Sequence, residues 1–281
     1  MPLEKVGEML REAKKENRCV AAFNCHNYES IKTVINAGEK LASPVIVMFY
    51  PSFISHIPMT TFAEITKDLA KKSKYPVGLH LDHCDDFEFI MESVRVGFQS
   101  VIVDASRHEY QINADMTRRV VKAVHPLGVD VEAELGHVGT GSVASDYTDT
   151  GKYTDPEAAK RFVEETGVDC LAVAIGNAHG HYTVDPRLDI DCLKAINKLA
   201  GVPLVLHGGS GIPDDQLKEA VKNGMAKTNF GTDFGKAILN AESEYVNSAD
   251  NRKNIFGILK AGEIGGGNYA ESRISILGGD K

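Results

Sequence analysis

Three histidines each follow a short apolar, strand-like run: His83 after 77–81, His179 after 171–175 and His207 after 204–206. Three imidazoles around one zinc leave a fourth position for water or substrate, which is the arrangement of a catalytic site and not of a closed structural one. A single histidine is ordinarily a core or surface residue, but three at matching positions point to metal. Asp82 directly precedes His83, where a carboxylate can act as an outer-sphere partner or carry a proton. Asp104 and Glu134 close two more apolar runs and could orient histidines, hold a second cation or cap helices. Orientation is preferred, because ligating histidines usually hydrogen-bond a carboxylate. His207 opens the turn Gly208-Gly209-Ser210-Gly211, and Asn229-Phe230-Gly231-Thr232 follows the last apolar run, so two small, amide-exposing turns suited to phosphate lie beside the metal residues. His80, two before Asp82, reads as a packed strand residue or a partner of the site, and His26, His137 and His181 could line its mouth.

These residues need a scaffold that gathers strand ends. Runs rich in Val, Ile and Ala alternate with amphipathic stretches of helical length, the signature of repeated βα units on a parallel sheet. Strands are predicted at 19–24, 45–50, 77–82, 100–104, 130–135, 170–175, 204–207 and 226–230. Helices are predicted at 29–41, 62–72, 87–96, 112–124, 156–166, 192–199, 214–223 and 234–246, with Asp155-Pro156 and Pro213-Asp214 as starts and Gly97, Gly167 and Gly224 past stops. Eight units predict a (β/α)8 TIM barrel, whose strand ends converge on the one face where such barrels carry active sites. Residues 1–281 read as one domain with a C-terminal helical arm from about 250. The stretch 136–153, rich in Gly, Ser, Thr and Asp, has no predicted element and reads as a lid. The segment 262–267 is Gly-rich, and 268–281 is weakly helical.

The composition is that of a globular enzyme, with 43% hydrophobic and 25% charged residues, and no run approaches the ~20 apolar residues of a membrane span. Residues 1–18 mix Glu and Lys with Val, Met and Leu at helical spacing, unlike a signal peptide. Five scattered cysteines, an odd number, suit reduced thiols and a cytoplasmic location. A net charge of −8 argues against nucleic acid as partner, so an anionic substrate has to be attracted locally, by metal and backbone amides.

The segments Phe23-Asn24, His26-Asn27, Leu79-His80-Leu81-Asp82-His83, Val131-Glu132-Ala133-Glu134-Leu135-Gly136, Ala174-Ile175-Gly176-Asn177-Ala178-His179-Gly180 and Leu206-His207-Gly208-Gly209-Ser210-Gly211 occur in this order. Together they resemble the class II, zinc-dependent ketose-bisphosphate aldolases, most closely the tagatose-bisphosphate and fructose-bisphosphate branch, as far as about Thr232. The resemblance implies that His83, His179 and His207 bind Zn2+ and that Asp82 exchanges the proton of the hydroxyl at carbon 4. It implies that Asn24, Gly180, Gly208, Gly209, Ser210, Asn229, Phe230, Gly231 and Thr232 hold the substrate and its dihydroxyacetone phosphate half, with a monovalent cation (Na+ or K+) near the glycine loops. The implied activity is reversible aldol cleavage of a phosphorylated ketose to dihydroxyacetone phosphate and an aldehyde such as glyceraldehyde 3-phosphate, in a homodimer or homotetramer.

The chain departs from the family's pattern in places. Fructose-specific relatives carry paired acids in the loop after strand five, one handling the proton at carbon 3; here Gly139-Thr140-Gly141-Ser142-Val143-Ala144-Ser145-Asp146 leaves Asp146 and Asp149 as candidates. Phe230-Gly231 stands where relatives often have a small aliphatic residue followed by Ala or Asp, and Arg252 and Arg273 are candidates for a distal phosphate. A bisphosphate, a deoxy sugar acid phosphate or a ketose 1-phosphate all suit the pattern. Two rivals stand beside this reading: a metal-free Schiff-base aldolase using Lys227, and a non-catalytic, metal-dependent sugar-phosphate binding protein. The first leaves three histidines unexplained, and the second leaves Asp82 without a task.

Overall fold

Strands built from Val, Ile, Leu and Ala with few polar positions are stable only when covered on both faces, and a parallel sheet wrapped in helices covers them so. The computed structural model describes residues 3–249 and 253–278. In chain order the elements are α1 (Val6–Lys15), β1 (Val20–Asn24), α2 (Tyr28–Lys40), β2 (Val45–Phe49), α3 (Met59–Lys72), β3 (Val77–Leu81), α4 (Phe87–Val96), β4 (Ser100–Val103), α5 (Tyr110–Val124), β5 (Asp130–Leu135), α6 (Ser145–Thr148), α7 (Pro156–Thr166), β6 (Cys170–Val173), α8 (Ile190–Ala200), β7 (Leu204–Leu206), α9 (Asp214–Lys222), β8 (Met225–Phe230), α10 (Thr232–Asn247) and α11 (Ile255–Ile276). The strands pair in parallel in chain order and β1 closes on β8, giving the (β/α)8 barrel that the alternation predicts. Helix starts carry the side chains that satisfy their free amides: Asn27, Asp86, Asp155 and Asp189 each accept a first-turn backbone N–H.

The core has two shells. Phe49, Phe62, Phe98 and Phe162 belong to the larger one, between strands and helices. The smaller one lies inside the barrel, where Val20, Ala22, Ile46, Met48, Cys170, Ala172, Val205 and Ala226 cluster with Val6, Met9, Leu10 and Ala13 of α1. The helical spacing seen in residues 1–18 thus belongs to a plug for the barrel's amino-terminal end. The carboxyl ends of the strands are left to the histidines and acids.

Two segments differ from the sequence expectation. The stretch 136–153 is ordered in part by α6 and a 3-10 turn, Thr150–Lys152, and Thr140 bridges to His179. Periodicity cannot register a helix of four residues. The Gly-rich stretch lies inside α11, which packs along α10 and α2. Its glycines permit that approach: a Cβ on Gly265 would sit 2.5 Å from the Ala237 carbonyl oxygen, and one on Gly266 2.8 Å from Ile238. Among the described residues no helix is long and apolar enough to cross a membrane, and all five cysteines are free thiols.

Candidate active site

Residues two apart on a strand share a face, so β3, β5 and β8 each send alternate side chains into the barrel. At the carboxyl end this brings Asp82, Glu134 and Asn229 to the mouth, joined by Asn24 from β1 and by the histidines that follow β3, β7 and the β6 loop. The ring centroids of His83 and His179 are 4.5 Å apart, those of His83 and His207 4.6 Å, and those of His179 and His207 5.6 Å. His83, His179, His207 and Glu134 each offer one ligand atom, and these atoms all lie within 4.8 Å of one another.

The backbone is shaped for this meeting. His83 has φ 47°, a left-handed conformation that costs an L residue about 1–2 kcal/mol. Such strain persists only where the surroundings enforce it. Gly208 (φ 65°) follows His207 directly, and a Cβ there would fall 1.9 Å from the Ala178 carbonyl oxygen, so the β6 and β7 loops touch only because this residue is glycine. Asn177 Nδ2 donates to the His207 carbonyl at 3.0 Å, and the Tyr182 hydroxyl donates to the Gly208 carbonyl at 3.0 Å, tying the same two loops together.

Two of the histidines, His83 and His207, are oriented by carboxylates. Asp104 Oδ2 lies 2.7 Å from His83 Nδ1, and Glu132 Oε1 lies 2.8 Å from His207 Nε2. Each contact fixes one ring nitrogen and leaves the other for the centre. Ser106 Oγ lies 3.0 Å from Asp104 Oδ1 and 2.8 Å from Glu134 Oε1, so its one hydroxyl proton is shared between the two acids. Four buried polar atoms have no hydrogen-bond partner here: Asn229 Oδ1, His179 Nε2, His207 Nδ1 and Glu134 Oε2. The last two are 2.9 Å apart but out of line for a hydrogen bond. The buried, unpartnered lone pairs of the two histidines and Glu134, facing one point, fit the donor set of a zinc ion. Burial and the neighbouring histidines push His179 down to about 3, so it stays neutral, the form in which an imidazole can bind a metal. Burial opposes a charge on His207, but the flanking Glu132 and Glu134 outweigh it and raise that group to about 10, so a proton competes with a cation there.

Asp82 is held at both oxygens. Asn24 Nδ2 donates to Oδ2 at 2.7 Å and Asn229 Nδ2 to Oδ1 at 3.1 Å, while His83 Nε2 is 3.9 Å from Oδ1. Burial works against its charge, yet the cationic field of His83, His207, Lys227 and His80 prevails and keeps it a carboxylate below the usual range. It faces a cavity of about 670 Å3 whose lining includes Asn24, Asp82, His83, Asp104, Glu134, His179, Gly180, Gly208, Ser210, Asn229, Gly231 and Thr232. His207 and Gly209 lie beneath that surface, with the Gly209 amide bonded to the Asn229 carbonyl. Phe230 is fully buried, stacks on Phe23 and meets Tyr269 edge-on, so its ring serves the core. Of the loop acids, Asp146 lines the cavity and Asp149 caps the turn at Gly151. His26 and His137 line the mouth, and the exposed His181 is not part of the lining. Arg273 is tied to Asp214 at 2.8 Å, away from the lining, and Arg252 lies outside the described residues.

Glu132, Ser106 and Lys227 form part of this arrangement without having been assigned a place in it from the sequence. Lys227 is fully buried and 2.7 Å from Glu132, outside the cavity lining, which removes it from reach of a substrate carbonyl. The signal for Glu132 was available: Asp130, Glu132 and Glu134 alternate with Val131, Ala133 and Leu135 in β5, so Glu132 shares the face of Glu134.

Comparison with known proteins converges on one family. A model of the class-II fructose-bisphosphate aldolases matches residues 4–280. The Escherichia coli K12 protein YdjI is 40% identical over 233 residues, 83% of this chain and 84% of that protein. The crystal structure of that YdjI aldolase superposes with a TM-score of 0.90 at 34% identity, covering 99% of this chain and 98% of the other. A putative fructose-1,6-bisphosphate aldolase from Coccidioides immitis superposes with a TM-score of 0.86 at 26% identity, covering 98% of this chain and 96% of the other.

Proposed function

The chain belongs to the class-II fructose-bisphosphate aldolase family, and from that premise we propose that it catalyses zinc-dependent, reversible aldol cleavage of a phosphorylated ketose to dihydroxyacetone phosphate and an aldehyde, glyceraldehyde 3-phosphate where the ketose is a bisphosphate. The observation that carries this reading is the cluster of four ligand atoms within 4.8 Å of one another beside a carboxylate held at both oxygens. His83, His179 and His207 would hold Zn2+, with Glu134 facing the same point. Zinc supplies Lewis acidity toward the ketose carbonyl, drawing off negative charge as the bond between carbons 3 and 4 breaks. Asp82 accepts the proton of the carbon 4 hydroxyl, with its lone pairs aimed by Asn24 and Asn229. In the synthetic direction Asp82 returns it. The phosphate is taken at Gly180, Gly208, Ser210, Gly231 and Thr232, where α10 begins without a side-chain cap and the helix end favours an anion. A monovalent cation (Na+ or K+) belongs beside the same loops.

Among the described residues the one Lys or Arg side chain lining the cavity is Arg107, which is already 3.1 Å from Asp85. That favours, as a second reading, the same chemistry on a ketose 1-phosphate, which has no second anionic group to hold. The barrel and its C-terminal arm act as one unit in this proposal. The free, mostly buried thiols suit the cytoplasm, and exposed Leu239, Val246, Ile255, Phe256 and Ile264 on or beside α10 and α11 suit a homodimer or homotetramer. The test is to strip metal with a chelator, restore zinc, and identify the products formed from dihydroxyacetone phosphate and a panel of aldehydes. Activity is expected to vanish and return with zinc. Condensation that survives stripping but dies with borohydride overturns the proposal.

A further inference from the structure

Beneath the mouth lies a second polar tier. His80, Glu132 and Lys227 each precede by two residues a side chain of the upper tier, namely Asp82, Glu134 and Asn229, and all three are fully buried. Lys227 Nζ is 2.7 Å from Glu132 Oε2 and 3.4 Å from His80 Nε2. The other oxygen of Glu132 is 2.8 Å from His207 Nε2. One carboxylate therefore bridges the buried ammonium to the histidine.

We infer that Lys227 is a positioning residue for the metal centre: by anchoring Glu132 it fixes the ring of His207 so that Nδ1 is presented to the ion. A buried ion pair is a poor device for stability, since apolar side chains of similar volume usually serve as well. Its value here is directional. The ammonium holds Oε2, which leaves Oε1 a single orientation, and that orientation selects which imidazole nitrogen faces the cavity. His80 is secured in turn by Ser100 Oγ, 2.8 Å from its Nδ1, and completes the seat of the ammonium. Lys227 touches no reacting atom in the proposed chemistry, and besides its field on Asp82 its contacts are with Glu132 and His80. Without it Oε2 loses its cationic partner, and Glu132 can swing away from His207.

The inference rests on His207 being a metal ligand, and the experiment separates the two claims. The zinc dissociation constant of the full chain is measured by competition with a chromophoric chelator, and the cobalt-substituted protein is examined by visible absorption. Failure of the unmodified protein to bind zinc would sink the parent reading and this inference with it. Lys227→Met is expected to weaken zinc binding about 10- to 100-fold and to alter the cobalt spectrum. In a Glu132→Gln background, the same substitution is expected to change neither. An unchanged zinc constant in Lys227→Met overturns the inference alone, as does an equal loss in both backgrounds. Should the single Met variant fail to fold, Lys227→Met/Glu132→Gln removes both charges together and is compared with Glu132→Gln: equal constants support the inference, and a further loss overturns it.

Discussion

The two ends of this barrel are made from the same eight strands and share almost no chemistry. At the amino-terminal end Val20, Ala22, Ile46 and Val205 meet the plug of Val6, Met9 and Leu10, and Asp130 is held there by the Gly7 amide of the plug, which donates to it at 2.9 Å. At the carboxyl end the inward positions are Asn24, Asp82, Glu134 and Asn229, and the histidines gather there. The floor is an apolar surface removed from water, so its work is stability. The mouth keeps unpartnered polar atoms and a left-handed histidine, so it spends stability on a binding geometry. Substitutions at the two ends should therefore separate cleanly into those that change turnover and those that change folding.

The largest effect is expected at the mouth. His207→Ala removes one of the three proposed histidine ligands, and it should empty the zinc site and abolish cleavage while the chain still folds. Metal content by atomic absorption, alongside circular dichroism, checks this; a zinc-replete, active variant would break the assignment. Asp82→Ala comes next. It leaves the histidines in place, so zinc content should stay nearly unchanged while turnover falls roughly 10²- to 10⁴-fold, the range for a lost acid-base group. Loss of metal instead would make Asp82 a support for His83 and not a proton carrier.

At the floor the expectation reverses. Leu10 is fully buried against the barrel interior, and Leu10→Ala should cost about 2–5 kcal/mol of unfolding free energy. Turnover per folded molecule should stay within about twofold, since a distant core change leaves the site's contacts intact. Urea denaturation and an assay on the same sample read both. A large loss of turnover without a loss of stability would mean that the plug communicates with the mouth and that the division of labour is false.

This division also explains how much could be read from the sequence. The strands were legible because several are apolar on both faces and turn residues punctuate them; β5 occupies 130–135 as expected, and the others shift by one or two residues at their ends. The three histidines were legible because a parallel barrel brings every strand end to one face. What lay hidden depends on pairing across strands. Glu132 looks like any strand acid until β5, β7 and β8 close around it, and Lys227 looks like a nucleophile until its partner is in place. Gly262 and Gly265 to Gly267 are poor helix formers by intrinsic propensity, yet α11 runs through them because close packing on α10 outweighs that preference. Phe230 sits beside the phosphate turn in sequence, but strand alternation turns its ring into the core.

The tier between floor and mouth gives the smallest effect at neutral pH and the sharpest test of the boundary. His80 is fully buried; desolvation first and the Lys227 ammonium second hold it down to about 3, against the weaker pull of Glu132 and Asp82. In the unfolded chain it should titrate near the ordinary value of about 6.5. Between those values the unfolded state binds a proton that the folded state refuses, so stability is whole above about 6.5 and is lost progressively as the pH falls toward 3. His80→Gln keeps a polar group opposite Ser100 but removes the titration. At pH 7 the variant should therefore differ from the parent only through packing and the contact with Lys227 Nζ. On acidification to pH 4 it should lose less stability than the parent, by at most about 1.4 kcal/mol for each pH unit crossed. Parallel pH profiles from urea denaturation would place the acid-sensitive step elsewhere, among the paired acids and histidines of the mouth, and the middle tier would then belong with the inert floor.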